Sequence, residues 1–149
     1  MNNIKILEAN NLTLMSDCLN IRKKVFIEEQ GVPEEIELDE LDKSSFHAIC
    51  FLNNHPVATG RLIKVSENHF QIGRMAVLKE YRKHGLGKAV IDFLENEAIE
   101  IGAKTITLHA QEYVKNFYLK SGYFEKGDVF LEAGISHIEM HKNITKKQV

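Results

Sequence analysis

The sequence predicts a single α/β domain built on a mixed sheet. Three observations predict it. Apolar residues recur at helical spacing in three stretches, short apolar or alternating runs lie between them, and glycine or proline marks most joints. A chain of 149 residues is long enough to bury its own core. The domain is expected over residues 1–142, with 143–149 as a polar tail.

Ile4 and Ile6 alternate with polar partners and predict a short first strand. Leu14, Cys18, Ile21 and Val25, flanked by Met15, Leu19 and Phe26, share a helical face. They predict an amphipathic helix from about Thr13 to Glu29, stopped by Gly31 and Pro33. Glu34 to Asp42 reads as an acidic, solvated loop. The runs Phe46 to Leu52 and Val57 to Val65, joined by Asn53-Asn54-His55-Pro56, predict a hairpin.

The next strand, about Asn68 to Val77, changes phase. Phe70 and Ile72 share one parity, Met75 and Val77 the other, and Gly73-Arg74 sits at the slip. A β-bulge explains this, because one inserted residue flips every later side chain; a strand buried on both faces explains it too. From Leu86, the residues Ala89, Val90, Phe93, Leu94, Ala98 and Ile101 predict a helix that Gly102 ends. Ile106, Leu108 and Ala110 predict a strand, Glu112 to Ser121 a shorter helix ending at Gly122. Phe124 to Leu131 and Ile135 to His141 predict a final strand pair turning at Ala133-Gly134. The order is β-α-β-β-β-α-β-α-β-β.

Composition excludes more than it selects. Nineteen Lys and Arg against 21 Asp and Glu give a net charge of −2, which points to neither nucleic acid nor an anionic membrane. No stretch approaches the ~20 apolar residues of a membrane helix, and Met1 to Ala9 shows no export signal, so a cytoplasmic location is expected. Cys18 and Cys50 form no CxxC pair; buried free thiols and no metal are expected.

The chemistry concentrates between the phase-slipped strand and the long helix, at Arg82-Lys83-His84-Gly85-Leu86-Gly87 followed by Lys88. Glycine lets backbone approach a ligand, and a helix N-terminus offers unpaired N–H groups and a positive dipole end. A pyrophosphate suits that place. The dipole contributes only ~0.3–1 kcal/mol, so amide hydrogen bonds must supply most of the grip. The segment lacks both the Gly-Lys-Ser/Thr of a P-loop and the GxGxxG dinucleotide pattern. Taken alone, it also reads as a glycine-punctuated helix entry with solvated basic residues. Further on, within the helix expected from Glu112 to Ser121, comes Asn116-Phe117-Tyr118, followed by Gly122-Tyr123. A phenol with a pKa of about 10 is protonated at neutral pH and can give a proton to a departing thiolate, although a Phe-Tyr pair on a helix is also ordinary core.

The two segments together resemble the GNAT superfamily of acyl-CoA N-acyltransferases. The matching residues are Ile72-Gly73-Arg74-Met75-Ala76-Val77, Tyr81-Arg82-x-x-Gly85-Leu86-Gly87, and Phe117-Tyr118-x-x-x-Gly122-Tyr123. Ile21-Arg22-x-x-Val25-Phe26-Ile27-x-Glu29-Gln30, Asp39-x-x-Asp42 and Gly134-Ile135-x-His137-x-x-Met140 are similar to its ElaA/YjcF-like branch. The resemblance implies a mostly antiparallel sheet of six to seven strands with a splayed central strand and helices on both faces. It implies acetyl-CoA as co-substrate, with backbone groups of Met75, Ala76 and Val77 along pantetheine and one N–H polarising the thioester carbonyl. Arg82, Lys83, His84, Gly85, Leu86, Gly87 and Lys88 would hold the pyrophosphate, Asn116 would lie near the pantetheine arm, and Tyr118 would be the general acid.

The implied reaction is direct attack by a neutral amine, so a base or water chain must take a proton. Several family members carry a glutamate on the bulged strand, where this chain has Gln71, which cannot act as a base. Glu29, the acidic loop, His47 and His137 are candidate replacements, and Arg74 is a candidate for binding an acceptor carboxylate. Each has a bland reading: solvated loop, core histidine, cross-sheet ion pair. The base stays unassigned. A small-molecule amine is favoured over a protein as acceptor, and the chain is expected as monomer or homodimer. Gln71 also admits a rival, an acyl-CoA-binding sensor without turnover. A nucleotide-binding loop for ATP or NAD lacks its magnesium and ribose partners, and a hydrolase lacks GxSxG.

Overall fold

Among the described residues, 3–144, the computed structural model holds the seven predicted strands and three predicted helices in order, with one further short helix after the first. They are β1 (Ile4–Glu8), α1 (Leu12–Arg22), α2 (Glu34–Glu37), β2 (Phe46–Leu52), β3 (His55–Lys64), β4 (His69–Val77), α3 (Leu86–Glu100), β5 (Thr105–Gln111), α4 (Lys115–Lys120), β6 (Phe124–Glu132) and β7 (Ile135–Asn143). The strands form one sheet in the order β1-β2-β3-β4-β5-β7-β6. Only the β4–β5 pair is parallel among them.

Helices cover both faces. Leu86, Val90, Ile91, Leu94 and Ala98 of α3 pack on Phe70, Ile72, Ile106 and Leu108. Each fully buried Leu, Ile, Val or Phe side chain among them contributes about 1.5–3 kcal/mol. Cys18, Ile21 and Val25 cover the other face against Ile49 and Ala76. Asn11 caps α1 by accepting the Leu14 N–H at 2.8 Å. Both cysteines are buried and free, and burial pushes the Cys50 thiol up to about 11.

The structure corrects two readings. The helix expected from Thr13 to Glu29 is α-helical only to Arg22; Lys23–Glu29 is a π-helix, with Gln30 N–H reaching back to Val25 C=O at 3.1 Å. The acidic loop is not simply solvated. It folds into α2 and a 3₁₀ turn, Glu40–Ser44, and Glu37 is buried beneath arginines. At the other end, Asn143 closes β7 and Ile144 N–H donates to Lys104 C=O at 2.8 Å, while residues 145–149 of the expected tail lie outside the described residues.

Candidate active site

The phase slip in β4 is a bulge. Thr59 pairs with Ala76 and Arg61 with Gly73, so Gly60 of β3 alone faces Arg74 and Met75 of β4. Arg74 takes the left-handed conformation, φ +51°. The parallel pairing of β4 with β5 ends at Ile72 and Leu108, although both strands continue, to Val77 and Gln111. The strands therefore splay, and a cleft of about 880 Å³ occupies the gap. Leu78 donates its N–H to Val57 on β3 at 2.9 Å; alternation then turns the backbone groups of Met75 and Val77 toward the gap.

One half of the cleft is bounded by the segment from Arg82 to Lys88. Lys83 and Gly85 are left-handed, φ +68° and +77°, and the 15-residue α3 begins immediately after. Among the described residues, the N–H groups from Lys83 to Lys88 have no acceptor, and the first helical bond is Ala89 to Gly85. Successive free amides at a helix start form an anion cradle. A Cβ on Gly87 would meet the Phe117 ring at 3.4 Å, an ordinary van der Waals contact. The Arg82 guanidinium is engaged already, with both Nη atoms on the Glu29 carboxylate at 2.7 Å and Nε on Val77 C=O at 2.9 Å. Tyr118 lines the same half, 8% exposed, and its hydroxyl makes no hydrogen bond to a described residue. Burial raises its pKa far above the ordinary phenol value, so it stays protonated. Phe117 meets it edge-on at 4.9 Å.

The other half lies on the α1 face. Phe26, Val32, Ile36, Leu41 and Ile63 give it apolar walls, and Gln71, His109, Glu132 and His137 give it polar groups. His109 Nδ1 stands 2.8 Å from Glu132 Oε1, and His137 Nε2 stands 3.7 Å from Glu132 Oε2. His137 Nδ1 is 2.7 Å from Ile135 C=O. The Glu132 hydrogen bond holds the His109 pKa above its ordinary value, against burial.

Beneath this half, three arginines grip the segment from Glu37 to Asp42. Arg22 Nε bonds both Glu37 oxygens at 3.1 Å, and its Nη1 and Nη2 bond Asp42 at 2.8 and 3.1 Å. Arg61 Nη1 bonds Asp39 and Asp42 at 2.7 and 2.9 Å. Arg74 Nε reaches Glu37 Oε2 at 2.7 Å, and its Nη2 reaches Asp39 at 3.2 Å. Burial opposes the Asp42 charge, yet hydrogen bonds from Arg22 and Arg61 outweigh it and hold its pKa at about 2.

The structure thus brings together Met75, Ala76, Val77, Arg82, Lys83, Gly85, Leu86, Gly87, Lys88, Tyr118, Arg74 and His137 along one cleft. Other candidates fall elsewhere. His84 and Asn116 are exposed and do not line it. His47 is buried beside Asp42, with Nε2 2.9 Å from the Asp42 C=O, and burial lowers its pKa; it is the core histidine of the bland reading. Glu29 stands outside the cleft lining and its pKa is lowered by the Arg82 hydrogen bond, which makes it a poor base. Arg74 is the ion-paired residue, not a free carboxylate receptor. Sequence reading missed His109 and Glu132. The signal for His109 was there, since Thr107, His109 and Gln111 alternate with the apolar Ile106, Leu108 and Ala110.

A sequence model of the acetyltransferase (GNAT) domain matches residues 13–144. The Bacillus subtilis (strain 168) protein named Uncharacterized N-acetyltransferase YjcF is 36% identical over 141 residues, 94% of this chain and 100% of its own. The crystal structure of Escherichia coli ElaA superposes with a TM-score of 0.82 at 25% identity, covering 96% of this chain and 100% of that one. That of an acyl-CoA N-acyltransferase from Pseudomonas aeruginosa gives 0.80 at 26%, covering 95% and 99%.

Proposed function

The chain belongs to the GNAT acetyltransferase family, and on that premise we propose that it transfers the acetyl group of acetyl-CoA to a primary amine of a small molecule by direct attack in a ternary complex. The observation that carries this reading is the run of free N–H groups from Lys83 to Lys88, set on the cleft that Tyr118 also lines. Acetyl-CoA supplies the activated acyl thioester. The amides of that run, with the ammonium groups of Lys83 and Lys88, bind its diphosphate. The inward-facing backbone of Met75 and Val77 receives the pantetheine amides, and one N–H there polarises the carbonyl. Tyr118 gives its proton to the departing thiolate.

The test is calorimetric titration of the full chain with acetyl-CoA, with ATP and NAD as controls. Saturable binding of acetyl-CoA alone is expected; no binding near about 1 mM, which corresponds to ~4 kcal/mol, overturns the reading. Tyr118→Phe is expected to keep acetyl-CoA affinity while lowering kcat by about 10²-fold or more. Gln71, which lines the cleft without being a base, favours the rival of a sensor without turnover. A sensor would show acetyl-CoA binding with no turnover in the unmodified protein.

A further inference from the structure

An amine reaches an enzyme at neutral pH mostly as ammonium and must lose a proton before it attacks. His109, Glu132 and His137 are the groups in the α1-face half of the cleft equipped for that task. They come from β5, the end of β6 and β7, so the sheet itself fixes them. His109 Nδ1 faces Glu132 at 2.8 Å, which leaves Nε2 as the nitrogen for a substrate proton. Phe130 packs on both imidazoles, with ring centroids 5.1 and 6.0 Å away.

The remaining lining restricts the amine. Glu37 and Glu132 are the carboxylates on the cleft among the described residues, and Arg22 and Arg74 already neutralise Glu37. Arg61, Arg74, Arg82, Lys83 and Lys88 line the same cleft. Arg61, Arg74, Arg82 and Lys88 are already paired with acids, so a polycation would meet one available carboxylate and no second anionic partner. Against this stand the apolar walls, where Ile36 and Leu41 remain 50% and 46% exposed.

Resting on the reading above, we propose that Glu132, His109 and His137 form the ammonium subsite of the acceptor pocket, and that the acceptor is a single primary amine on an apolar body. Glu132 receives the ammonium, and His109 Nε2 takes one proton from it. The freed lone pair forms the C–N bond as the C–S bond breaks. The second proton lost by nitrogen replaces the one that Tyr118 gives to the thiolate, and His109 returns its own to solvent. The charged groups facing His109 are Glu132 and Glu139, the latter 3.9 Å from Nε2, while His137 and Arg74 act on Glu132. Because Glu132 raises the His109 pKa, the rate falls as pH drops through that raised value.

The experiment is steady-state acetylation of phenethylamine and of spermidine by the full chain across neutral pH, with acetyl-CoA affinity measured alongside. Phenethylamine is expected to have the higher kcat/KM. His109→Gln is expected to lower kcat by about 10²-fold or more at unchanged acetyl-CoA affinity. Glu132→Gln is expected to raise the amine KM and move the acidic limb to lower pH. A preference for spermidine, or unchanged kcat in His109→Gln, overturns the proposal. Acetyl-CoA binding with neither amine acetylated overturns the subsite and leaves the donor site standing. Absence of acetyl-CoA binding removes the underlying reading and this inference with it.

Discussion

Glu37 is 2% exposed and Arg22 fully buried, so each charge depends on the other for what water would have supplied. Glu37 also anchors Arg74, whose left-handed backbone forms the bulge beside the cleft. Glu37→Ala leaves two guanidinium groups short of a partner and is expected to cost about 3–5 kcal/mol, read as a fall in the urea midpoint. This role was invisible in the sequence, where Glu37 is one of six acids in a nine-residue stretch. Which acid turns inward depends on Arg22, Arg61 and Arg74, and those arrive from three different elements. The place of Tyr118 on the cleft, by contrast, followed from the resemblance, whose two halves stand in order along the chain.

At the scale of the element, the bulge in β4 does the most to make the site. It was readable as a phase slip, since alternation leaves no other way to put Phe70, Ile72, Met75 and Val77 on one face. Gly60 sits opposite, and a Cβ there would lie 2.7 Å from Met75 Sδ, 2.8 Å from Leu94 Cδ1 and 2.9 Å from Val90 Cγ1. Gly60→Ala therefore requires these three side chains, or α3 that carries two of them, to shift. It is expected to destabilise by about 1–3 kcal/mol in thermal unfolding and to weaken acetyl-CoA binding in the same preparation. The π-helix after Arg22 could not be read. Its apolar positions, Val25 and Phe26, continue the face of α1, and the wider turn shows only in the hydrogen bonds.

Across the whole molecule, the ion network ties stability to pH. The folded pKa of Asp42, about 2, lies below its ordinary 3.8, so the folded state prefers the carboxylate. That stabilisation, about 2 kcal/mol, is complete above the ordinary value and is lost as pH falls toward the folded one. His47 acts in the same direction earlier. Burial depresses its pKa below 6.5, so the unfolded chain binds its proton first and stability falls as pH drops below that value. Urea unfolding at successive pH values should show decline in two stages, and His47→Gln should remove the upper one.

The sequence by itself determined the element order, the bulge as one of two readings, and the glycine-marked turn ahead of the long helix. Each is written in local periodicity or in glycine placement, which fix backbone geometry within a few residues. Only the tertiary structure decided that Arg82 is bound to Glu29, that His47 is core, and that His109 meets Glu132. Those outcomes join residues 53, 5 and 23 positions apart, and a pair such as His109–Glu132 is brought together by strand register. Register is set by the packing of the whole sheet, so no local pattern encodes it.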